Sequence, residues 1–225
     1  MKRFFKIMFP TIVVMTIMFV TIVAMVLFAS NKATKIARAE FVRDSIARAE
    51  FVKDSIATAK RNDEVIARCS NLFNVKKDEF SNITWVKPKE APKYRNRNAV
   101  YCYFATEDGR ATRIFRFVYQ YSAEDWLFIR YMIFNIDGEN ITIIPDMETD
   151  CGYGGIIWEW CDEPVNNNTS GIDEDFIKKI ANAKSVKVKM VGSQYSDIRT
   201  LSAAQIKSIK NTYEYYLALG GKFFN

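Results

Sequence analysis

From Ile7 to Asn31 the chain carries no charged residue, and between Ala29 and Pro88 it contains neither Gly nor Pro. Both facts favour unbroken helix over the first third of the chain. About 20 apolar residues in helical form match a bilayer core of about 30 Å. The sequence therefore predicts a transmembrane helix over residues 7–29 behind a short cytoplasmic tail, residues 1–6. Lys2, Arg3 and Lys6 precede the run, and Lys32, Lys35, Arg38 and Arg43 follow it. The very short tail favours a cytoplasmic N-terminus, which would make the run a signal-anchor and leave the rest of the chain extracytoplasmic. A cleaved signal peptide, with Leu27 and Ala29 just before the cut, is the rival reading.

Residues 37–46 read ARAEFVRDSI and residues 47–56 read ARAEFVKDSI; residues 57–66 are a decayed third copy. These are strong helix formers, and Glu40–Arg43, Asp44–Arg48 and Glu50–Lys53 sit at helical pairing distances. Residues 30–68 are thus expected to form a helical stalk. Ala39, Val42, Ile46, Ala49, Val52, Ile56 and Ala59 recur at a spacing shorter than a heptad seam, so the stripe drifts around the helix. A spacer is the first expectation, and self-association as a coiled coil along that drifting seam is the second. The stripe runs on through Val65, Ile66, Cys69, Leu72 and Phe73, where the stalk should dock on the domain that follows.

The basic pI is local. Residues 1–68 hold 12 Lys/Arg and 6 Asp/Glu, whereas residues 69–225 hold 20 of each. A neutral domain has no general field for phosphate, so nucleic acid is not an expected partner. Charge is nevertheless segregated: residues 120–175 carry Arg130 against 13 acids, and residues 176–225 carry nine Lys/Arg against Asp197 and Glu214. Histidine is absent, which removes His-based acid–base chemistry, Ser–His and Cys–His nucleophiles and nearly all zinc enzyme sites. No cofactor motif is present.

Residues 69–225 read as an α+β domain, a mostly antiparallel sheet with helices packed on it. Strands are expected at Asn82–Val86, Ala99–Ala105, Thr112–Tyr121, Trp126–Ile136, Ile141–Ile144 and Ile156–Trp160. Asp137-Gly138 is a two-residue hairpin signal. Asp173–Ala183 reads as a helix with acids in its first turn, and Val186, Val188 and Met190 alternate with lysines as in a half-buried strand. A C-terminal helix starts at the capping box Ser202-x-x-Gln205, buries Ile206, Ile209, Tyr213 and Leu217, and stops at Gly220-Gly221. A long apolar helix, an amphipathic helix and then a meander resemble type IV pilins in outline. Lys6-Ile7-Met8 stands where that family is processed and no acid precedes Glu40, so no family is assigned.

Four cysteines in an exported domain suggest two disulfides with three possible pairings; Cys151–Cys161 across CGYGGIIWEWC is the preferred pair, which would leave Cys69–Cys102, and four buried free thiols are the rival reading. Asp146, Glu148 and Asp150 alternate and in a strand would point one way, as a possible ligand surface that could hold Ca²⁺; without an EF-hand's Gly and bidentate Glu, a solvated loop is the first expectation. Trp158 and Trp160 share a strand face: exposed they would offer a stacking surface for a ligand, buried they would be core, and Ile156 on the same face favours core. Glu159, Asp162 and Glu163 allow a hydrolase using carboxylates of residues 146–163. Lys87, Lys89, Lys93, Arg95 and Arg97 with Tyr94 make a cationic loop, expected to be simply solvated. The leading functional expectation is a single-pass membrane-anchored protein with a non-enzymatic binding domain for a protein or envelope partner. An extracytoplasmic hydrolase and a structural subunit of a membrane assembly are the alternatives.

Overall fold

The N-terminal third forms one unbroken helix, α1 (Lys2–Cys69). This computed structural model describes the backbone of residues 2–152, 154–166 and 170–223; within α1 side chains are described at scattered positions from Met18 and throughout from Arg38. The chain divides into two units, Met1–Thr58 and Ala59–Asn225.

Three expectations about the first unit are corrected. Most of the span expected over residues 7–29 lies outside the described side chains. Among the described residues no helix is long and apolar enough to cross a membrane. The apolar run continues without a break into a stretch where charges recur every few residues from Lys32 onward. The single-pass anchor, the membrane as a partner and the extracytoplasmic placement that followed from it are therefore not supported. The tandem copy builds no repeating structural unit, because both copies are successive turns of one helix. Among the described residues a coiled coil is likewise not found: of Met1–Thr58 they show this helix, and Val42, Ile46, Val52 and Ile56 of the drifting stripe stay exposed.

In the second unit α1 ends inside the domain. Val65 packs on the core, Cys69 is fully buried, and Arg68 pairs with Glu214. Phe73 is buried too, but as the first residue of a strand, β1 (Phe73–Lys77), rather than as a last helical turn. The chain then meanders through β2 (Ile83–Pro88), β3 (Ala99–Glu107) and the long β4 (Arg110–Ala123). It leaves for a second sheet with β5 (Tyr131–Ile136) and β6 (Glu139–Ile143), and returns with β7 (Glu148–Cys151) and β8 (Ile157–Pro164). The helix α2 (Glu174–Asn182), strands β9 (Val186–Val191) and β10 (Ser196–Thr200), and the helix α3 (Ala203–Ala218) complete the fold.

The six-stranded sheet runs β1-β2-β3-β4-β8-β7 and the four-stranded sheet β10-β9-β5-β6. Every pairing is antiparallel. The class is α+β, as the alternation of residues 69–225 implies. The inner face of the large sheet carries Phe104, Phe115, Phe117 and Tyr119. Phe104 and Phe115 meet Tyr216 of α3 edge-on at 5.5 and 5.0 Å, and Phe117 meets Phe176 of α2 at 5.5 Å. Phe134 of the small sheet closes on the same Phe176 at 4.9 Å. Two sheets and two helices thus share one aromatic core.

Local signals fix several ends. Asp173 caps α2 by accepting from the Phe176 amide, and Ser202 and Gln205 form the full capping box of α3. Asp137 and Gly138 both take positive φ, the conformation a two-residue hairpin turn requires. The expected strand Trp126–Ile136 instead splits. Residues 124–130 form a loop, with Phe128 at φ 53°, and only then does β5 begin. Glu159 explains the break. Its carboxylate is completely buried and accepts from three successive amides, Leu127 (2.7 Å), Phe128 (2.9 Å) and Ile129 (2.8 Å). Those amides cannot also serve a strand ladder.

Candidate functional site

The register of β4 against β8 decides which side chains meet. Gln120 lies opposite Trp160, and Tyr119 opposite Cys161. Since Tyr119 points into the core, so do Ile157, Glu159 and Cys161. Trp158, Trp160 and Asp162 occupy the outer face. The tryptophans are therefore not part of the inner core. Ile156, which favoured that reading, is exposed, and its neighbour Ile157 is the buried one.

The outer face is nonetheless partly covered. The segment between β2 and β3, residues 89–98, folds back across it. Arg95 lays its guanidinium over the Trp160 ring at 4.5 Å, and Lys87 Nζ lies over the Tyr101 ring at 4.6 Å while donating to the Pro92 carbonyl at 3.3 Å. Between this loop and the strands lies a cleft of about 410 Å³. Trp85, Tyr101, Tyr103 and Trp160 supply its aromatic walls, with ring centroids 5.6 Å apart for Trp85–Tyr103 and 6.4 Å for Tyr101–Tyr103. Lys76, Lys87, Lys93 and Arg95 supply cations.

Asp162 is the one carboxylate lining the cleft among the described residues, and it is already engaged. Arg116 Nε donates to Asp162 Oδ1 at 2.6 Å, and the Tyr103 hydroxyl donates to Oδ2 at 2.9 Å. Lys76, Lys87 and Lys93 make no ion pair among the described residues. Burial pushes the Lys87 amine below its usual range; Asp162 opposes that shift and Arg95 adds to it. Burial likewise pushes the Tyr101 phenol up to about 12. The cleft thus holds positive charge in partly desolvated surroundings, where a Coulombic contact is stronger than in water.

Its floor is polar and unsatisfied. Among the described residues three buried side-chain polar atoms lack a hydrogen-bond partner, and two of them, Gln120 Oε1 and Trp160 Nε1, are cross-strand neighbours here. Gln120 is 4% exposed and Trp160 5%. Buried polar groups are nearly always paired, so two neighbouring exceptions set this part of the sheet apart.

The carboxylates expected to work together are separated. Glu159 faces the core beneath the 127–129 loop, Asp162 faces the cleft, and Glu163 accepts from the Asp146 amide at 2.7 Å. The sheet stands between Glu159 and Asp162, so these two do not form the acid pair that a hydrolase needs, and among the described residues Asp162 is the one acid lining this cleft. Glu148 sits opposite Trp160 and approaches Arg95 at 4.0 Å; Asp150 sits opposite Trp158 and accepts from the Cys151 amide. Among the described residues no group of three or more Cys, Asp or Glu could hold a metal ion.

The four cysteines are free thiols, which overturns the expected disulfides. β7 does return beside β8, but Cys151 lies opposite Ile157. Cys161 stands four residues farther along β8, about 13 Å away at roughly 3.3 Å per residue and well beyond the ~7 Å that a disulfide spans. Cys69 instead donates to the Asn211 carbonyl at 3.9 Å, and Cys102 is sealed in the core.

Of the residues forming the cleft, Trp160, Asp162 and the cationic loop stand out in the sequence. Gln120, Tyr101 and Tyr103 do not, nor does Arg116, which pairs with Asp162. Comparison with protein-family models, with curated proteins and with solved structures gave no match.

Proposed function

We propose that the chain is a non-catalytic binding module whose large sheet receives an anionic ligand on its outer face, beneath the loop of residues 89–98. The observation that carries this reading is the coincidence, in one cleft, of two unpartnered buried atoms with a cationic rim. Gln120 Oε1 calls for a donor and Trp160 Nε1 for an acceptor. Lys76, Lys87 and Lys93 call for negative charge. The aromatic walls add apolar contact area, as in most ligand sites. Binding is favoured over catalysis because Asp162, the cleft's carboxylate, is tied to Arg116 and Tyr103 and no histidine is present to move a proton.

The test is isothermal titration calorimetry of the full chain against four anionic probes: an oligogalacturonate hexamer, a heparin hexasaccharide, the oligonucleotide dT6 and inositol hexaphosphate. At least one should bind, with affinity falling as salt rises and falling at least tenfold in the double variant Lys87→Ala/Lys93→Ala. If none binds, or if the double variant binds as well as the parent chain, the proposal is wrong.

A further inference from the structure

The same cleft also discriminates among anions, and the inference here rests on the binding reading above. Gln120 and Trp160 stand directly opposite each other across β4 and β8, and their unpartnered Oε1 and Nε1 atoms are closed to solvent in the free chain, so a ligand meets them by displacing the side chains that cover them. A simple anion suits this floor badly. Sulfate oxygens would accept from Trp160 but would meet the Gln120 oxygen acceptor to acceptor, and hydrogenphosphate would have to turn its P–OH toward Gln120. A hydroxyl both donates and accepts, and vicinal hydroxyls on a ring can satisfy both atoms at once.

The walls argue against a nucleobase. Single strands are held chiefly by bases stacked on aromatic faces. Here the Arg95 guanidinium already lies over Trp160 and the Lys87 ammonium over Tyr101. The rings of Trp85 and Tyr103 are inclined at 56°, so they do not form a parallel slot for a flat base. Inclined rings at a cleft's side suit the C–H face of a puckered sugar, which makes apolar contact without needing coplanarity. The cations then stand where pendant acid groups would project. Length is accommodated as well. Lys93 and Tyr101 also line an adjoining hollow of about 430 Å³, bounded by Arg97 and Asn98, so a ligand longer than one ring has a second place to lie.

We propose that the ligand is an acidic oligosaccharide, its ring hydroxyls satisfying Gln120 Oε1 and Trp160 Nε1 and its acid groups meeting Lys76, Lys87 and Lys93. Three of the ions in the rim, Lys76, Lys87 and Lys93, are lysines without carboxylate partners among the described residues, and the floor asks for adjacent groups that both donate and accept. A carboxylated or sulfated glycan meets both demands in one molecule.

The experiment uses the full chain with the oligogalacturonate hexamer, its carboxyl-reduced neutral counterpart, dT6 and inositol hexaphosphate, each by calorimetry. The hexuronate should bind more tightly than the other three. Trp160→Phe keeps an aromatic ring under Arg95 while removing the N–H and part of the indole; Gln120→Leu removes the acceptor at nearly equal volume. Each should weaken hexuronate binding by about five- to twentyfold, the worth of one hydrogen bond to a desolvated partner. Circular dichroism and thermal melting of both variants establish that they fold. Should either fail to fold, the comparison of hexuronate with its neutral counterpart and with dT6 still decides. Hexuronate binding unaffected by both variants would overturn the assignment of the floor. Binding of dT6 or inositol hexaphosphate in preference to hexuronate would overturn the saccharide assignment and leave the anion-binding reading standing. No binding of any probe would overturn both.

Discussion

Glu159 is the side chain whose replacement should be felt most strongly relative to its size. Its carboxylate is 0% exposed and accepts three backbone amides. Oε1 takes two of them and Oε2 the third. In Glu159→Gln the amide oxygen can keep the pair from Leu127 and Phe128, which leaves the new NH₂ facing the Ile129 N–H, donor against donor. Losing one bond to a charged acceptor costs about 1.5–3 kcal/mol. The two surviving bonds fall to roughly half strength because charge-assisted bonds are about twice as strong as neutral ones. Part of this is offset, since a neutral amide is less costly to bury than a carboxylate. The net expectation is a loss of about 2–4 kcal/mol. With a urea m-value of about 2 kcal/mol/M that loss moves the unfolding midpoint down by about 1–2 M. Hydrogen exchange at the amides of residues 127–129 should accelerate alongside. Glu163→Gln is the control: Glu163 is only half-buried and holds one amide, that of Asp146, so its loss should stay under about 1 kcal/mol. A Glu159→Gln protein within about 0.5 kcal/mol of the parent, the range of ordinary surface changes, would refute the anchoring role.

Other outcomes follow from the same geometry. Gly192 leaves no room for a side chain, because an added Cβ would lie 2.0 Å from the Leu127 carbonyl oxygen; Gly192→Ala should cost about 1–3 kcal/mol by overpacking, read as a lowered melting temperature. Burial depresses the Lys87 pKa below its unfolded value, so this group subtracts stability where it is charged, and stability should recover as pH rises through its folded pKa toward 10.5. A bound anion favours the charged amine and raises that pKa, so affinity should fall across the same alkaline window, measured by calorimetry at a series of pH values. Of the cysteines, Cys151 is exposed while Cys69, Cys102 and Cys161 are buried, burial pushing the Cys161 thiol up to about 12. A thiol reagent should therefore titrate one fast group in the native chain and all four after unfolding; two or fewer on unfolding would restore a disulfide.

The parts of the fold that the sequence announces are those set by neighbouring residues. Ser202 with Gln205, Asp173 ahead of α2, Asp137-Gly138 and the alternation at Val186, Val188 and Met190 each act within a few positions. The parts that it conceals are set by distant partners. Trp126–Ile136 reads as one strand because nothing within it reveals that Glu159 takes three of its amides. The face of Trp158 and Trp160 is hidden for a different reason. β8 is covered on both sides, by the aromatic core within and by the 89–98 loop without, so its alternation lacks a plainly polar face. Its buried inner position is a glutamate and its outer one a tryptophan, the reverse of the usual pattern. The apolar run at the N-terminus shows the opposite failing: a strong local signal for a span that no described helix provides. The candidate cleft draws on β2, β3, β4 and β8 together. Gln120 and Tyr103 become site residues only through a strand order that brings the returning β8 alongside β4.

That strand order also sets the sequence of events during synthesis. β4 can pair with β3 once both have left the ribosome, but its other edge has no partner until β8 is completed at Pro164. Until then the emerging chain displays a long edge bearing Phe115, Phe117, Tyr119 and Tyr121, together with the three loop amides that Glu159 will later receive. Open aromatic edges of this kind are where nascent chains pair with one another. The pause between residues 123 and 157 is therefore the interval in which a holding chaperone would matter most to this chain, and a ribosome stalled within it would release the most aggregation-prone fragment.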